Sequence, residues 1–242
     1  MPLIEPGDDL AALILAALAR AGEALADGDV LIIAQKIVSK AEGRTVDLCD
    51  VVPGERALEL AREVDKDPRL VELILSQSAE VVAYRSGVLV VALASGVVLA
   101  NAGIDRSNVD GGAADRVLLL PRDPDGFCRD LRRTLKSAAG ADIGVIVNDS
   151  LGRAWRNGTV GMALGAAGVP ALLDCNGRPD LFGRRLEATQ VALADELAAA
   201  ASLVMGQADE GRPVVLARGL AMGRAEGRAA DLVRRREEDL FR

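Results

Sequence analysis

Apolar residues in this chain come in short runs closed by glycine, proline, aspartate or asparagine, and this punctuation restricts the fold to many short buried elements. Half of the 242 residues are apolar, enough for a substantial core in one large domain or two small ones. No run approaches the roughly 20 residues that span a bilayer. Val30-Leu-Ile-Ile33, entered through Asp27-Gly28-Asp29, and the run 143–147 read as buried strands. Pro6-Gly7-Asp8-Asp9 leads into an alanine-rich helix over 10–19, with acidic residues at its positive end. Helical patterns at 53–64 and 68–77 each open on proline, whose missing N–H does little harm there. The runs 80–84, 88–93 and 97–100, separated by Ser86-Gly87 and Ser95-Gly96, predict an antiparallel meander. A strand at 117–120 follows, then a helix capped by Asp123 and running to about Ala139. Glycines at 158, 161, 165 and 168 among apolar residues predict close backbone packing. A long helix is expected over 187–205, then a polar turn at Gly206-Gln207, a strand at 213–217, and a solvated mixed-charge helix end at 234–239.

The chain contains no histidine. Ser-His-Asp triads, Cys-His pairs and histidine-bearing zinc sites are thereby excluded in their usual forms. Cys49, Cys128 and Cys175 are odd in number and far apart, which opposes both a disulfide framework and a CxxC knuckle and predicts reduced core thiols. A net charge of −7 and only five aromatics (Tyr84, Phe127, Trp155, Phe182, Phe241) oppose nucleic-acid binding. An anionic substrate would need local cations, and Lys36, Lys40, Arg106, Arg153 and Arg156 lie near the polar motifs. Met1-Pro2-Leu3-Ile4 lacks the basic and apolar regions of a signal peptide, so no membrane association and a cytoplasmic location are expected.

What remains is chemistry by carboxylates, hydroxyls, lysine, arginine and a hard cation such as Mg²⁺ or Mn²⁺. Asn101-Ala-Gly-Ile-Asp105-Arg-Ser-Asn108 and Asn148-Asp149-Ser150-Leu-Gly-Arg153 each place a carboxylate just past an expected buried strand, beside hydroxyl and amide groups. Taken singly, Asp105 reads equally as a turn former and Asp149 as a helix cap. Together, with Asn108 and Ser150, they supply oxygen ligands for a pair of cations roughly 3.5–4 Å apart that could neutralise phosphate oxygens. Gln35 to Lys40 reads as a loop holding two lysines and a hydroxyl, a phosphate cradle without the glycine-rich Walker pattern.

Further motifs extend this series: Gly7-Asp8-Asp9-Leu10, Val38-Ser39-Lys40-Ala41-Glu42-Gly43-Arg44, Leu118-Leu-Leu-Pro121 with Asp123-Pro124-Asp125, and Gly183-Arg184. Ala194-Asp195-Glu196-Leu197-Ala198, Val204-Met205-Gly206, and Pro213-Val214-Val215 with Arg218-Gly219 complete it. In order and over almost the whole chain, the set resembles the coenzyme F420-0:L-glutamate ligase family. The resemblance implies an α+β fold with mixed and antiparallel sheets and flanking helices, in an intertwined homodimer. One ligase domain would cover 1–242, with room for two sub-lobes whose boundary no composition break marks, and without the fused C-terminal flavin-binding domain of some relatives.

The implied reaction is GTP-dependent amide formation between L-glutamate and the lactyl carboxylate of coenzyme F420-0, through an acyl phosphate, with further glutamates joined by γ-linkage. Mn²⁺ or Mg²⁺, two ions in the full site, and a monovalent cation such as K⁺ would assist. By motif position Asp105, Asp149 and Lys40 form the catalytic set, and Asp105, Asp149, Ser150 and Gln207 the metal set. The GTP site would take Pro2, Leu3, Ile4, Gln35, Lys36, Lys40 and Asn108, with Met205, Gly206, Gln207, Ala208, Asp209, Glu210, Gly211 and Arg212. Ser150 stands where the family commonly has threonine, and Gln207 where relatives can be acidic. Two alternatives stay open: a non-catalytic GTP- and metal-binding module of the same fold, and a ligase of the same mechanism acting on another small carboxylate.

Overall fold

A computed structural model describes residues 1–109, 115–223 and 225–240; the aromatic Phe241 lies outside these. Its frame is a four-stranded sheet in the order β11-β1-β7-β8, built from β1 (Val30–Ala34), β7 (Gly144–Gly152), β8 (Thr159–Ala167) and β11 (Val214–Ala217). β1 and β7 run parallel with Ile32 opposite Ile146, while the outer pairings are antiparallel. Val30 to Ile33 are buried on both faces, as a central strand requires. Alternation sends Leu31, Ile33, Val145 and Val147 into one cluster, shared with Ile14 of α1 (Leu10–Arg20) and Leu131 and Leu135 of α5 (Pro124–Ala139). Val30, Ile32 and Ile146 enter a second cluster under α6 (Leu193–Met205).

A smaller unit packs beside this sandwich. The meander is observed as β3 (Ser78–Arg85), β4 (Val88–Leu93) and β5 (Val98–Ala100), antiparallel throughout. α3 (Glu55–Val64) and α4 (Pro68–Ser76) bury Leu60, Val64, Val71 and Ile74 against its Leu89 and Val91. β2 (Thr45–Asp47) pairs with β6 (Arg116–Leu118), and β9 (Leu173–Asp174) with β10 (Gln190–Val191). The mixed α+β class is therefore as expected. No helix among the described residues is long and apolar enough to cross a membrane.

β8 shows why its glycines are there. A Cβ at Gly161 would collide with the Ala198 carbonyl and the Ser202 side chain of α6, and one at Gly165 with Pro124 of α5. The strand is bulged: Val147 faces Gly165 but Asn148 faces Ala163, so one residue of β8 is extra. Two helix carboxylates satisfy donors beside the bulge. The Ala163 N–H donates to Asp195 Oδ1 at 2.9 Å and the Ala166 N–H to Asp125 Oδ1 at 2.8 Å. Asp195 and Asp125 thus fasten the helices to the sheet, and burial raises the Asp195 pKa.

Several local expectations are corrected. Gln35 to Lys40 is not a loop: α2 (Gln35–Ala41) follows β1 without a break, driven by burial of Ile37 and Val38 and not by a side-chain cap. α6 begins at Leu193, six residues later than 187, because β10 occupies the intervening chain. Helix α3 begins at Glu55 with Gly54 as N-cap, so Pro53 precedes it, whereas Pro68 does open α4. The tail forms only a short 3₁₀ turn, Arg236–Glu238, held by Arg236 to Glu80 of β3 at 2.7 Å. Of the three free cysteines only Cys128 is a core thiol; Cys49 is exposed and Cys175 half-buried.

Candidate functional site

Two parallel strands end side by side at the same edge of the sheet, and the polar motifs gather there. β1 hands its C-terminal end to Gln35 and Lys36, while Asn148, register partner of Ala34, precedes Asp149 in β7. Asp149 is not past the strand end: β7 continues to Gly152, paired with β8, and Asp149 faces Met162. Alternation along β7 turns it to the face of Val147 and Leu151. Such carboxyl ends of parallel strands are where open α/β sheets bind ligands.

Asp105 reaches the same edge by another route. After β5 the chain makes a left-handed turn, with φ of 53° at Asn101, 53° at Ala102 and 66° at Gly103. Gly103 is doubly required, because a Cβ there would also lie 2.7 Å from Leu120 Cδ1. Left-handed backbone at a buried alanine is unfavourable by roughly 1–2 kcal/mol and persists only when its surroundings over-determine it. The anchor is Leu118 at the end of β6, which exchanges two backbone hydrogen bonds with Asp105, both 2.9 Å.

Around the Asp105 carboxylate, Gln35 Nε2 donates to Oδ2 at 3.0 Å and Lys36 Nζ lies 3.4 Å from the same oxygen. Lys36 Nζ also donates to Ser107 Oγ at 2.7 Å. Burial raises the Asp105 pKa, and Lys36, Gln35 and Ser107 oppose that rise. Asp149 is pushed further, to about 6, by burial first and then by the negative charge of Asp105. The Ser150 N–H, donating to Asp149 Oδ1 at 2.8 Å, only partly offsets this.

Two half-buried carboxylates, both raised by burial and one of them raised further by the other's charge, fit a divalent cation, which would replace a proton as the neutralising charge. Among the described residues no group of three or more acidic, cysteine or histidine side chains could hold a metal. A cation here would therefore complete its shell with hydroxyl, amide, water or phosphate oxygens, the donor set that Mg²⁺ and Mn²⁺ favour.

The 205–212 segment joins this edge through Asn108, whose Nδ2 donates to the Ala208 carbonyl at 3.1 Å. Glu210 folds the segment on itself by accepting from the Ala208 N–H at 2.9 Å. Gln207 lies within it, exposed. Met205 is tied to the site through Asn148, whose Nδ2 donates to Ser202 Oγ at 3.0 Å and lies 3.5 Å from Met205 Sδ. The N-terminal segment is held against α2, since the Gly7 N–H donates to the Ala41 carbonyl at 2.9 Å and Ile4 shares a cluster with Ile37. Pro2 and Leu3 are exposed beside it. Lys40 stands one helical turn after Lys36 on the same side of α2.

The expected cation cluster does not fully assemble. Arg106 lies where it affects Lys66 and Asp67 at the α3–α4 junction. Arg153 donates to the Gly158 carbonyl at 3.2 Å, closing the β7–β8 loop on which Arg156 is exposed. Sequence reasoning missed the pairing of Gln35 with Ser39, whose Oγ donates to Gln35 Oε1 at 2.9 Å. The spacing of four would have exposed it had the segment been read as a helix. It also missed the Asn148–Ser202 link, although Asn148 opens the motif that carries Asp149.

A cavity of about 450 Å³ lies elsewhere, at the opposite ends of the same strands, lined by Val30, Gly144, Asp29, Arg132, Asp142 and Glu226. Its charges already have partners: Arg218 meets Asp29 at 2.8 Å, and Arg132 meets Asp142 at 2.8 Å as well as Glu226. The charges at that cavity are paired, whereas burial raises both Asp105 and Asp149 at the other edge, and carboxylates perturbed in this way mark where chemistry is possible.

Comparison with known proteins agrees with the motif series. The family model described as F420-0:Gamma-glutamyl ligase matches residues 1–219. A protein named coenzyme F420:L-glutamate ligase from Methanothermobacter thermautotrophicus is 51% identical over 244 residues, spanning 100% of this chain and 96% of its own length. Proteins of the same name from Methanopyrus kandleri (47%; 99% of this chain, 93% of theirs) and Archaeoglobus fulgidus (44%; 100% and 93%) are similar throughout. With the matched region running through both carboxylate motifs and the 205–212 segment, the chain belongs to the F420-0:gamma-glutamyl ligase family.

Proposed function

We propose that this protein is a GTP-dependent ligase that joins L-glutamate to the lactyl carboxylate of coenzyme F420-0, and adds further glutamates by γ-linkage. The observation that carries the reading is the convergence of Asp105, Asp149 and Lys36 at one strand edge, with the 205–212 segment held beside them by Asn108. Relatives named for this ligation support it.

A carboxylate is a poor acyl donor. Its oxygen attacks the γ-phosphorus of GTP, the bond from that phosphorus to the β,γ-bridging oxygen breaks, and GDP leaves with the electron pair. The glutamate amine then attacks the acyl carbon of the resulting acyl phosphate, inorganic phosphate departs, and the amine loses a proton to solvent. A Mn²⁺ or Mg²⁺ pair, when bound, supplies charge neutralisation for the phosphates and the departing oxygen.

Asp105 and Asp149 would hold those ions, with Ser150 and Gln207 as weaker oxygen donors. Lys36 and Lys40 would add positive charge along α2 toward the phosphates. Pro2, Leu3, Ile4, Asn108 and 205–212 would border the nucleotide, and K⁺ would serve as a further counter-ion. A homodimer is part of this reading: Leu181 and Phe182, 99% and 95% exposed at the end of the arm between β9 and β10, are apolar surface suited to a second copy. Light scattering on the purified protein tests that part.

The decisive experiment is incubation with F420-0, GTP, Mn²⁺ and L-glutamate, read by product mass. A gain of one or more glutamyl residues is expected. GDP formation without amide product would sink the proposal.

A further inference from the structure

The resemblance places Gln35 in the GTP site, yet the structure engages its amide from both ends. Gln35 is 1% exposed and Ser39 0%. Ser39 Oγ meets Gln35 Oε1 at 2.9 Å, and Gln35 Nε2 meets Asp105 Oδ2 at 3.0 Å. The direction of this chain follows from its last member. An ionised carboxylate only accepts, so the NH₂ of Gln35 must face Asp105, its carbonyl must face Ser39, and the Ser39 hydroxyl must donate. Both partners rise from α2, four residues apart and packed in the core, so the amide has no freedom to turn.

Asp105 itself is held at two levels. Its backbone is clamped by the paired bonds to Leu118, and its side chain is met at one oxygen, Oδ2, by Gln35 and Lys36 together. Neither meets Oδ1, and Ser107, itself held by Lys36, is the further side chain that reaches this carboxylate. Carboxylates that hold metals are commonly oriented by such buried hydrogen-bonding partners.

We propose that the Gln35 side chain, oriented by Ser39, is a positioning group that presents Asp105 to the divalent cation. The relay rests on the reading of Asp105 as a metal ligand. Its effect is a carboxylate whose rotamer is set before the ion arrives, so the entropy of ordering it is not charged to binding.

The test measures Mn²⁺ binding to the full-length protein without nucleotide, by the electron paramagnetic resonance of free Mn²⁺, together with the GTP KM at saturating Mn²⁺. Gln35→Leu is expected to weaken Mn²⁺ binding about 10- to 100-fold, and Ser39→Ala by less, with the GTP KM within about twofold of wild type. Because Ser39 acts through Gln35, the double variant should bind Mn²⁺ no more weakly than Gln35→Leu alone. Ser39→Ala removes one hydroxyl and provides the answer should Gln35→Leu fail to fold, as judged by its melting temperature.

A raised GTP KM with unchanged Mn²⁺ binding would overturn the proposal and return Gln35 to the nucleotide. Additive losses in the double variant would overturn the relay as well. Asp105→Asn separates the two levels. If that variant binds Mn²⁺ as wild type does, the metal reading fails and takes the relay with it; if it loses Mn²⁺ while Gln35→Leu does not, only the relay fails.

Discussion

The two ends of the β1–β7 pair carry opposite electrostatics. At the N-terminal ends, Asp29 is buried yet met by the Arg218 guanidinium, which holds its pKa below the usual carboxylate value, and Asp142 is held down likewise by Lys136 and Arg132. At the C-terminal ends, Asp105 and Asp149 are both pushed upward, Asp149 to about 6, with Lys36 the only cation that an ion pair gives them among the described residues. Paired charge closes a structure, whereas like charge left in excess at a half-buried edge is an arrangement that awaits a counter-ion.

The largest test of this contrast is to neutralise the excess. Asp105→Asn and Asp149→Asn are each expected to lower glutamate ligation on the order of 10²-fold or more, while the melting temperature of the metal-free protein holds or rises because a repulsion is removed. A fall in both rate and stability would mean that these carboxylates belong with the structural pairs at the other end. The complementary change, Arg218→Met, should lower the denaturant midpoint with the ligation rate per folded molecule unchanged, since it strands the buried Asp29.

Acidity divides the two ends more gently. The Asp149 pKa is raised from 3.8 to about 6, so between those values the folded chain keeps a proton that the unfolded chain has lost. Its contribution to metal-free stability therefore falls as pH rises through that window, and Mn²⁺ affinity should fall as pH drops through about 6. Asp29 is shifted the opposite way. Its contribution is present above 3.8 and is lost only as pH falls through its lower folded value. Calorimetric scans with and without Mn²⁺ from pH 4 to 8, a range estimated as roughly two units either side of 6, would show the divergence. The smallest expected effect is that of Ser150→Thr, which keeps the hydroxyl and should alter Mn²⁺ affinity by about threefold or less.

Much of this was legible along the chain. The buried strands at 30–33 and 143–147, the meander, the Asp123 cap and the packing glycines of β8 follow from local rules, because apolar period, turn chemistry and absent side chains act over a few residues. Asp105 and Asp149 were also legible, as carboxylates that no histidine could accompany. Gln35 to Lys40 was misread because Ile37 and Val38 are middling helix formers in a seven-residue segment, and only their burial under β1 and α1 makes it helical. The helix start at Leu193 was misplaced for a similar reason, since β10 owes its form to pairing with β9.

Composition and motif order alone set the chemistry that this protein can perform: hard oxygen ligands, lysines, no imidazole, and a family whose match runs through both carboxylate motifs. Only the folded structure decided which groups meet. The parallel register of β1 and β7 carries α2 to Asp149, the clasp between Asp105 and Leu118 brings the left-handed turn to the same edge, and Asn108 draws in the 205–212 segment. These contacts join residues far apart in the chain, Asn108 and Ala208 being 100 positions apart. Local propensity acts over a few residues and carries no information about pairings of that span, so burial and strand register had to choose them.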